Sequence, residues 1–212
     1  LVACRMSLRR GLFITLEGPE GSGKSSQARK LANWLRARQR SVVLVRDPGS
    51  TALGRSLRQV LLHSEGSLSP MTEALLFIGG RVALVEERIL PALRRGRVVV
   101  CDRYHDSTVV YQGDGGGVSA ALLERVGRRA IGGLMPSLTI VLDVPTAIGF
   151  RRIRRAHDRM ERKARAFHRR VRTGFLRLAR RESGRIAVVD ASRPAAYVQQ
   201  QIETIMMKRF YR

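Results

Sequence analysis

Directly after an apolar run, "LFITLEG" (Leu12 to Gly18), the chain reads "GPEGSGKSS", which fits G-x-x-x-x-G-K-[ST] from Gly18 to Ser25. A strand, a glycine-rich turn and a helix in this order restrict the fold more than any other stretch. Glycines let successive backbone N–H groups turn inward around phosphate oxygens, and the helix that follows presents its positive end to them. Gly18, Pro19, Glu20, Gly21, Ser22 and Gly23, with Lys24, Ser25 and Ser26 opening the helix, form the expected phosphate cradle. Lys24 is expected to reach the β- and γ-phosphates of a nucleoside triphosphate, and Ser25 to ligate Mg²⁺.

The remainder of the chain repeats the alternation. "SVVLVR" (Ser41 to Arg46), "RVVVCD" (Arg97 to Asp102), "LTIVLDV" (Leu138 to Val144) and "RIAVVD" (Arg185 to Asp190) are continuous apolar runs. Continuous rather than alternating apolar residues mark strands covered on both faces. Helical patterns separate them, over Ser25 to Gln39, Pro70 to Leu93, Ser119 to Ile131, Thr146 to Arg155 and Ala164 to Arg181, and from about Pro194 onward. The expected fold is α/β, a doubly wound five-stranded parallel sheet of the P-loop NTPase type with flanking helices. Residues 11–212 read as one domain, with residues 1–10 an N-terminal extension in which Met6 is a candidate start. No apolar stretch is long enough to cross a bilayer, which predicts a cytoplasmic protein.

Charge adds a second theme. Forty Lys and Arg stand against 17 Asp and Glu, a formal net charge of +23, and only four of the cations are lysines. That balance favours polyanionic partners, or reflects arginine placed on any exposed face. A kinase needs a second anion site facing the cradle, and ligands in such sheets bind beyond the carboxyl ends of the strands. Arg46 closes the second strand, Arg103 follows the third, and Arg81 lies on the helix between them. Asp102 and Asp143 each end an apolar strand and compete for the water shell of Mg²⁺. Asp102 is preferred because Arg103 and Tyr104 follow at once.

These blocks resemble the thymidylate kinase family from Leu12 onward. "VRDPGST" is similar to its R-E-P-G-G-T segment, "EALLFIGGR" to its E-x-L-L-F-x-A-x-R helix, and "DRYHDSTVVYQG" to its D-R-Y-x-x-S-x-x-A-Y-Q-G block. "PSLTIVLDV" and "DRMERKARAFHRRVRTGFLRLA" match later family segments. The resemblance implies transfer of a phosphoryl group from ATP to dTMP, with Mg²⁺, in a homodimer. It implies that Phe77 stacks on thymine while Arg81, four residues on and so on the same helix face, donates to a base carbonyl. Thr108 and Gln112 would meet the pyrimidine edge, Tyr111 the sugar, and Arg46 and Arg103 the acceptor phosphate. Glu20 would receive the sugar 3′-OH and orient a phosphate-binding arginine, and Arg58 is a further pocket candidate. "DASRP" (Asp190 to Pro194) matches the segment beside the adenine.

The family divides by whether the catalytic arginine lies in the P-loop or in the lid. Here the loop has none, which implies the mainly bacterial lid type. The catalytic set is therefore Lys24, Asp102 and Arg103, with Arg155 and Arg159 from a short mobile lid at about 151–163 and Arg152 in reserve. Asp47 stands where the family has Glu, Gly116 where bacterial members commonly have Arg, and the lid is shortened. Two alternatives remain open. One is a P-loop nucleoside or nucleotide kinase with a different acceptor; the other is an arginine-rich nucleic-acid-binding ATPase. Few aromatics (5%), none interleaved with the arginines, argue against specific nucleic-acid binding, although nonspecific polyanion binding is compatible with the charge.

Overall fold

The computed structural model describes residues 11–63, 65–153 and 158–211. The expected N-terminal extension and the lid candidate Arg155 lie outside the described residues. Five strands, β1 (Leu12–Glu17), β2 (Val42–Arg46), β3 (Val98–Asp102), β4 (Leu138–Asp143) and β5 (Ile186–Asp190), form one parallel sheet in the order β2-β3-β1-β4-β5. Each lies within a residue or so of the run that predicted it.

Period-two alternation splits the strands between two cores. Leu12, Ile14 and Leu16 of β1, with Val98 and Val100 of β3, pack under α1 (Lys24–Ala37) and α9 (Ala195–Phe210). Phe13, Val99 and Cys101 point the other way. There they meet Leu84 of α3 (Pro70–Leu84) and Val85 and Ile89 of the π-helical turn Val85–Ile89. That turn leads into α4 (Leu90–Arg94), so the single helix expected over Pro70 to Leu93 is in fact three segments. Pro91 has no N–H to donate, and the turn before it is widened. Ser69 caps α3, accepting from Thr72 N at 3.0 Å, with Pro70 at the first helical position.

Two elements near the cavity were absent from the sequence reading. One is α2 (Ala52–His63), whose cap is Thr51: its Oγ1 accepts from Gly54 N at 2.9 Å. A Thr ahead of "ALGRSLRQVLLH" was the available signal. The other is α5 (His105–Thr108), which runs on as the π-helical stretch Val109–Gly115. Beyond it come α6 (Ala120–Ala130), α7 (Thr146–Arg151) and α8 (Arg165–Arg181). α7 ends four residues earlier than expected.

Candidate functional site

A solvent-open cavity of about 470 Å³ lies at the carboxyl end of the sheet, where β1, β2 and β3 deliver the P-loop, Arg46 and Asp102–Arg103 side by side. Parallel order places these three strand ends together although up to 85 residues separate them in sequence.

On the loop wall Lys24 Nζ donates to Pro19 O at 2.6 Å and to Ser22 Oγ at 3.2 Å. Burial, then Arg103, push its ammonium down to about 7, against the pull of Glu20, Asp102 and Glu17. Gly21 has φ +68°, and a Cβ there would stand 1.9 Å from the carbonyl oxygen of Gly149 in α7. Loop and helix thus touch backbone to backbone, and no side chain fits at that loop position.

Below Lys24, Ser25 Oγ donates to Asp102 Oδ2 at 2.5 Å. Arg46 joins them, Nε to Asp102 Oδ2 at 3.1 Å and one terminal nitrogen to Ser25 Oγ at 2.5 Å. Burial alone would raise the Asp102 pKa, but Lys24, Ser25, Arg46 and Arg103 outweigh it and hold the carboxyl below its ordinary value. Asp143 lies apart from this cluster, held by Arg172 in a fork at 2.7 and 2.8 Å, and is not among the residues lining the cavity.

Opposite the loop stands Arg103, the one non-glycine strand-end residue with left-handed backbone, φ 69°. That conformation costs on the order of 1 kcal/mol for an L-residue. Glu17, an unforeseen site residue, helps impose it. Its buried carboxyl accepts from Tyr104 N at 2.7 Å and from Ser107 Oγ at 2.5 Å. Burial and the nearby Asp106 raise Glu17 to about 7. The Arg103 guanidinium is spread over Gly18 O (3.2 Å), Ser107 Oγ (3.1 Å), Glu20 Oε1 (3.1 Å) and Tyr111 Oη (3.0 Å). Arg58 lines the same cavity, donating to Pro48 O at 3.3 Å.

The far end is a slot between Phe77 and the side chains of Arg81, Thr108 and Gln112. Arg81 Nε donates to Asp47 Oδ2 at 2.5 Å and another nitrogen to Thr108 Oγ1 at 3.0 Å. Its remaining terminal nitrogen and Asp47 Oδ1 are both buried without a hydrogen-bond partner. Two orphaned polar atoms, a donor and an acceptor, border a slot faced by an aromatic ring. The shorter Asp47 still reaches Arg81. At Gly116, a Cβ would meet Gln112 O and Pro70 Cβ at 2.8 Å, so the absence of a larger residue follows from local packing.

Of the candidate lid arginines, Arg152 and Arg159 are among the described residues. Arg159 is absent from the cavity wall: its guanidinium donates to Leu61 O and to buried Glu73 Oε1, each at 2.9 Å. Lys163 and Gln112 also donate to Glu73, an anchor that the sequence did not single out. Arg152 does line the cavity and bridges to Ala191 O at 2.7 Å and Ser192 O at 2.9 Å, in the "DASRP" segment. Ala164, Phe167, Val171, Phe175 and Leu178 recur at the three- and four-residue spacing of a buried helix stripe; the last four are buried along α8, whereas Ala164, at its N-cap, is exposed.

Comparison with known proteins agrees with this layout. The family model described as Thymidylate kinase matches residues 16–202. The thymidylate kinase of Deinococcus radiodurans is 45% identical over 204 residues, covering 95% of this chain and 99% of that protein. That of Methylococcus capsulatus is 46% identical, covering 92% and 94%. The crystal structure of thymidylate kinase from Ehrlichia chaffeensis superposes with a TM-score of 0.76 at 30% identity, over 93% of this chain and 99% of that one. A cradle, a paired-arginine wall and a base-sized slot arranged on this sheet, in a sequence matched almost end to end, mean that the chain belongs to the thymidylate kinase family.

Proposed function

We propose that this protein transfers the γ-phosphoryl group of ATP to dTMP, giving ADP and dTDP. The observation that carries the reading is one cavity with three chemically distinct walls. The P-loop lines it, Arg46 and Arg103 stand against that loop, bonded to Ser25 and to Gly18 and Glu20, and the Phe77–Arg81 slot closes its end. An acceptor phosphate oxygen is already a nucleophile, so positioning and charge neutralisation suffice without a general base. Arg46 and Arg103 hold the acceptor phosphate and Lys24 the transferring one. The orphaned Arg81 nitrogen meets a base carbonyl, and Glu20 and Tyr111 meet the sugar.

A hard cation fits the donor set of Ser25 and Asp102: one hydroxyl and one ionised carboxylate, already bridged by a cationic guanidinium. Ser25 and Asp102 would hold Mg²⁺, which neutralises charge between the β- and γ-phosphates. The P-loop offers no arginine and no room for one at Gly21, so the lid supplies the remaining positive charge.

The test is an ADP-release assay across the nucleoside monophosphates. Efficient turnover of another monophosphate with dTMP inert would refute the assignment. Protonation gives an independent check. Lys24 is largely neutral above about pH 7, and a triphosphate favours its charged form. Nucleotide binding at about pH 8 is therefore expected to take up a proton, and affinity to weaken as pH rises further. Calorimetry in buffers of different ionisation enthalpy reads this directly; identical heats at that pH would contradict it.

The partner is a second copy. Leu53 and Val60 of α2, Met71 and Leu75 of α3, and Val126 of α6 are exposed, Leu75 by 54%, on helices packed against one another. Exposed apolar side chains on neighbouring helices suit a two-fold interface. Leu75→Asp is expected to shift sedimentation from dimer to monomer; an unchanged sedimentation coefficient would place the interface elsewhere. No described helix is long and apolar enough to span a membrane.

A further inference from the structure

His168 of α8 is 1% exposed, yet neither ring nitrogen has a hydrogen-bond partner among the described residues. Buried polar groups are rarely left so. The ring is wedged edge-on against Phe150 of α7, with centroids 4.7 Å apart, and against Phe167, at 5.2 Å. Its Nδ1 faces Glu20 Oε2 at 3.6 Å, outside hydrogen-bond reach, so the contact is electrostatic as it stands. Glu20 is the P-loop carboxylate that accepts from Tyr111 Oη at 2.7 Å and from Arg103 at 3.1 Å.

We propose that His168 is a positioning residue for the acceptor site, supplying the donor that takes Arg103's place on Glu20 when Arg103 turns to the acceptor phosphate. The inference rests on the kinase reading above. The Arg103 nitrogen that serves Glu20 is also shared with Tyr111, so a phosphate that recruits it takes a partner from a buried carboxylate. Glu20 is ionised in this arrangement: burial would raise its pKa, but Arg103, Lys24 and Tyr111, with His168 beside them, hold it well below the ordinary carboxylate value. An ionised, buried carboxylate that loses a partner pays a large desolvation penalty unless another donor closes in. Among the described residues His168 is the unengaged donor aimed at it, and a shift to ordinary hydrogen-bond distance, about 3 Å, is small. The ring also rests on α7, whose Gly149 abuts Gly21 of the same loop. Helix α7, the loop and the imidazole are thus packed against one another.

His168→Phe keeps the ring and removes the donor, whereas His168→Asn keeps a donor near Nδ1. His168→Phe is expected to raise the acceptor KM about tenfold with little change in kcat or in the KM for ATP. Its melting temperature should stay within about 3 °C of the parent or rise, because an unsatisfied polar group is replaced by an apolar one. His168→Asn should restore the acceptor KM to within about threefold of the parent. In a Glu20→Gln background, His168→Phe should add nothing further. A parent-like KM in His168→Phe overturns the proposal. So does an Asn variant as impaired as the Phe one, or an effect that persists without the Glu20 carboxylate. Arg103 meets phosphate and not base, so the series is run on dTMP, dUMP, CMP, AMP and GMP. A parent inert to dTMP but active on another acceptor sinks the dTMP reading, while the His168 effect is read on that acceptor.

Discussion

Arg103→Ala is expected to lower kcat/KM for dTMP on the order of 10³-fold while ATP binding persists. Alanine bears the same left-handed backbone cost as arginine, so the change removes the guanidinium without altering the turn. What is lost is a cation already placed at the site: four acceptors hold the guanidinium there before any ligand arrives, and Glu20 gives up its share when the phosphate binds. Nucleotide affinity should hold or improve, because Arg103 is one of the causes depressing Lys24, and its removal favours the ammonium that a triphosphate needs. Steady-state kinetics with dTMP, beside calorimetric titration with ATP, separates the two effects. Full dTMP activity in the variant would mean that the acceptor phosphate binds elsewhere.

Arg81→Leu carries the largest expected cost in stability. The Arg81 and Asp47 side chains are 2% and 0% exposed and joined at 2.5 Å. Breaking such a pair from one side strands the other charge and costs about 3–5 kcal/mol. For a chain of this size that is a fall in melting temperature on the order of 10 °C. The pH dependence has a definite sign. Burial raises the Asp47 pKa and Arg81 opposes it, so losing Arg81 raises it further. A carboxyl with a raised folded-state pKa destabilises above that pKa, and the penalty shrinks as pH falls through it. The deficit should therefore be greatest at neutral pH and smaller toward pH 5, and Asp47→Asn should recover part of it. Melting curves at several pH values check this; a loss of only a degree or two would mean the pair is not isolated from water.

How much was visible beforehand differs by residue. Lys24 and Ser25 were assignable because a P-loop is local: strand, glycine turn and helix are contiguous, and their chemistry follows from backbone direction. Asp102 could be separated from Asp143 only by neighbours in sequence; in space the difference is that Asp102 lines the cavity and meets Ser25, while Asp143, paired with Arg172 of α8, does not line it. Arg159 illustrates the opposite case. Its position in the lid suggests a phosphate partner, and in the structure it pairs with Glu73 of α3, 86 residues away. Nothing in either local sequence announces that pairing. Glu17 looked like the end of an apolar strand, and its function depends on the Tyr104 amide and Ser107 hydroxyl arriving from β3 and α5.

The sequence alone determined the parallel α/β fold, the phosphate cradle and the family resemblance, since these rest on short-range periodicity and on motifs whose residues are neighbours in the chain. Tertiary structure decided which charges are committed to one another and which still face the cavity. With 40 basic residues against 17 acidic ones, sequence cannot say which arginine is neutralised. Electrostatic energy depends on separation and burial through the folded chain, and only packing brings Asp47 to Arg81, Glu73 to Arg159 and His168 to Glu20.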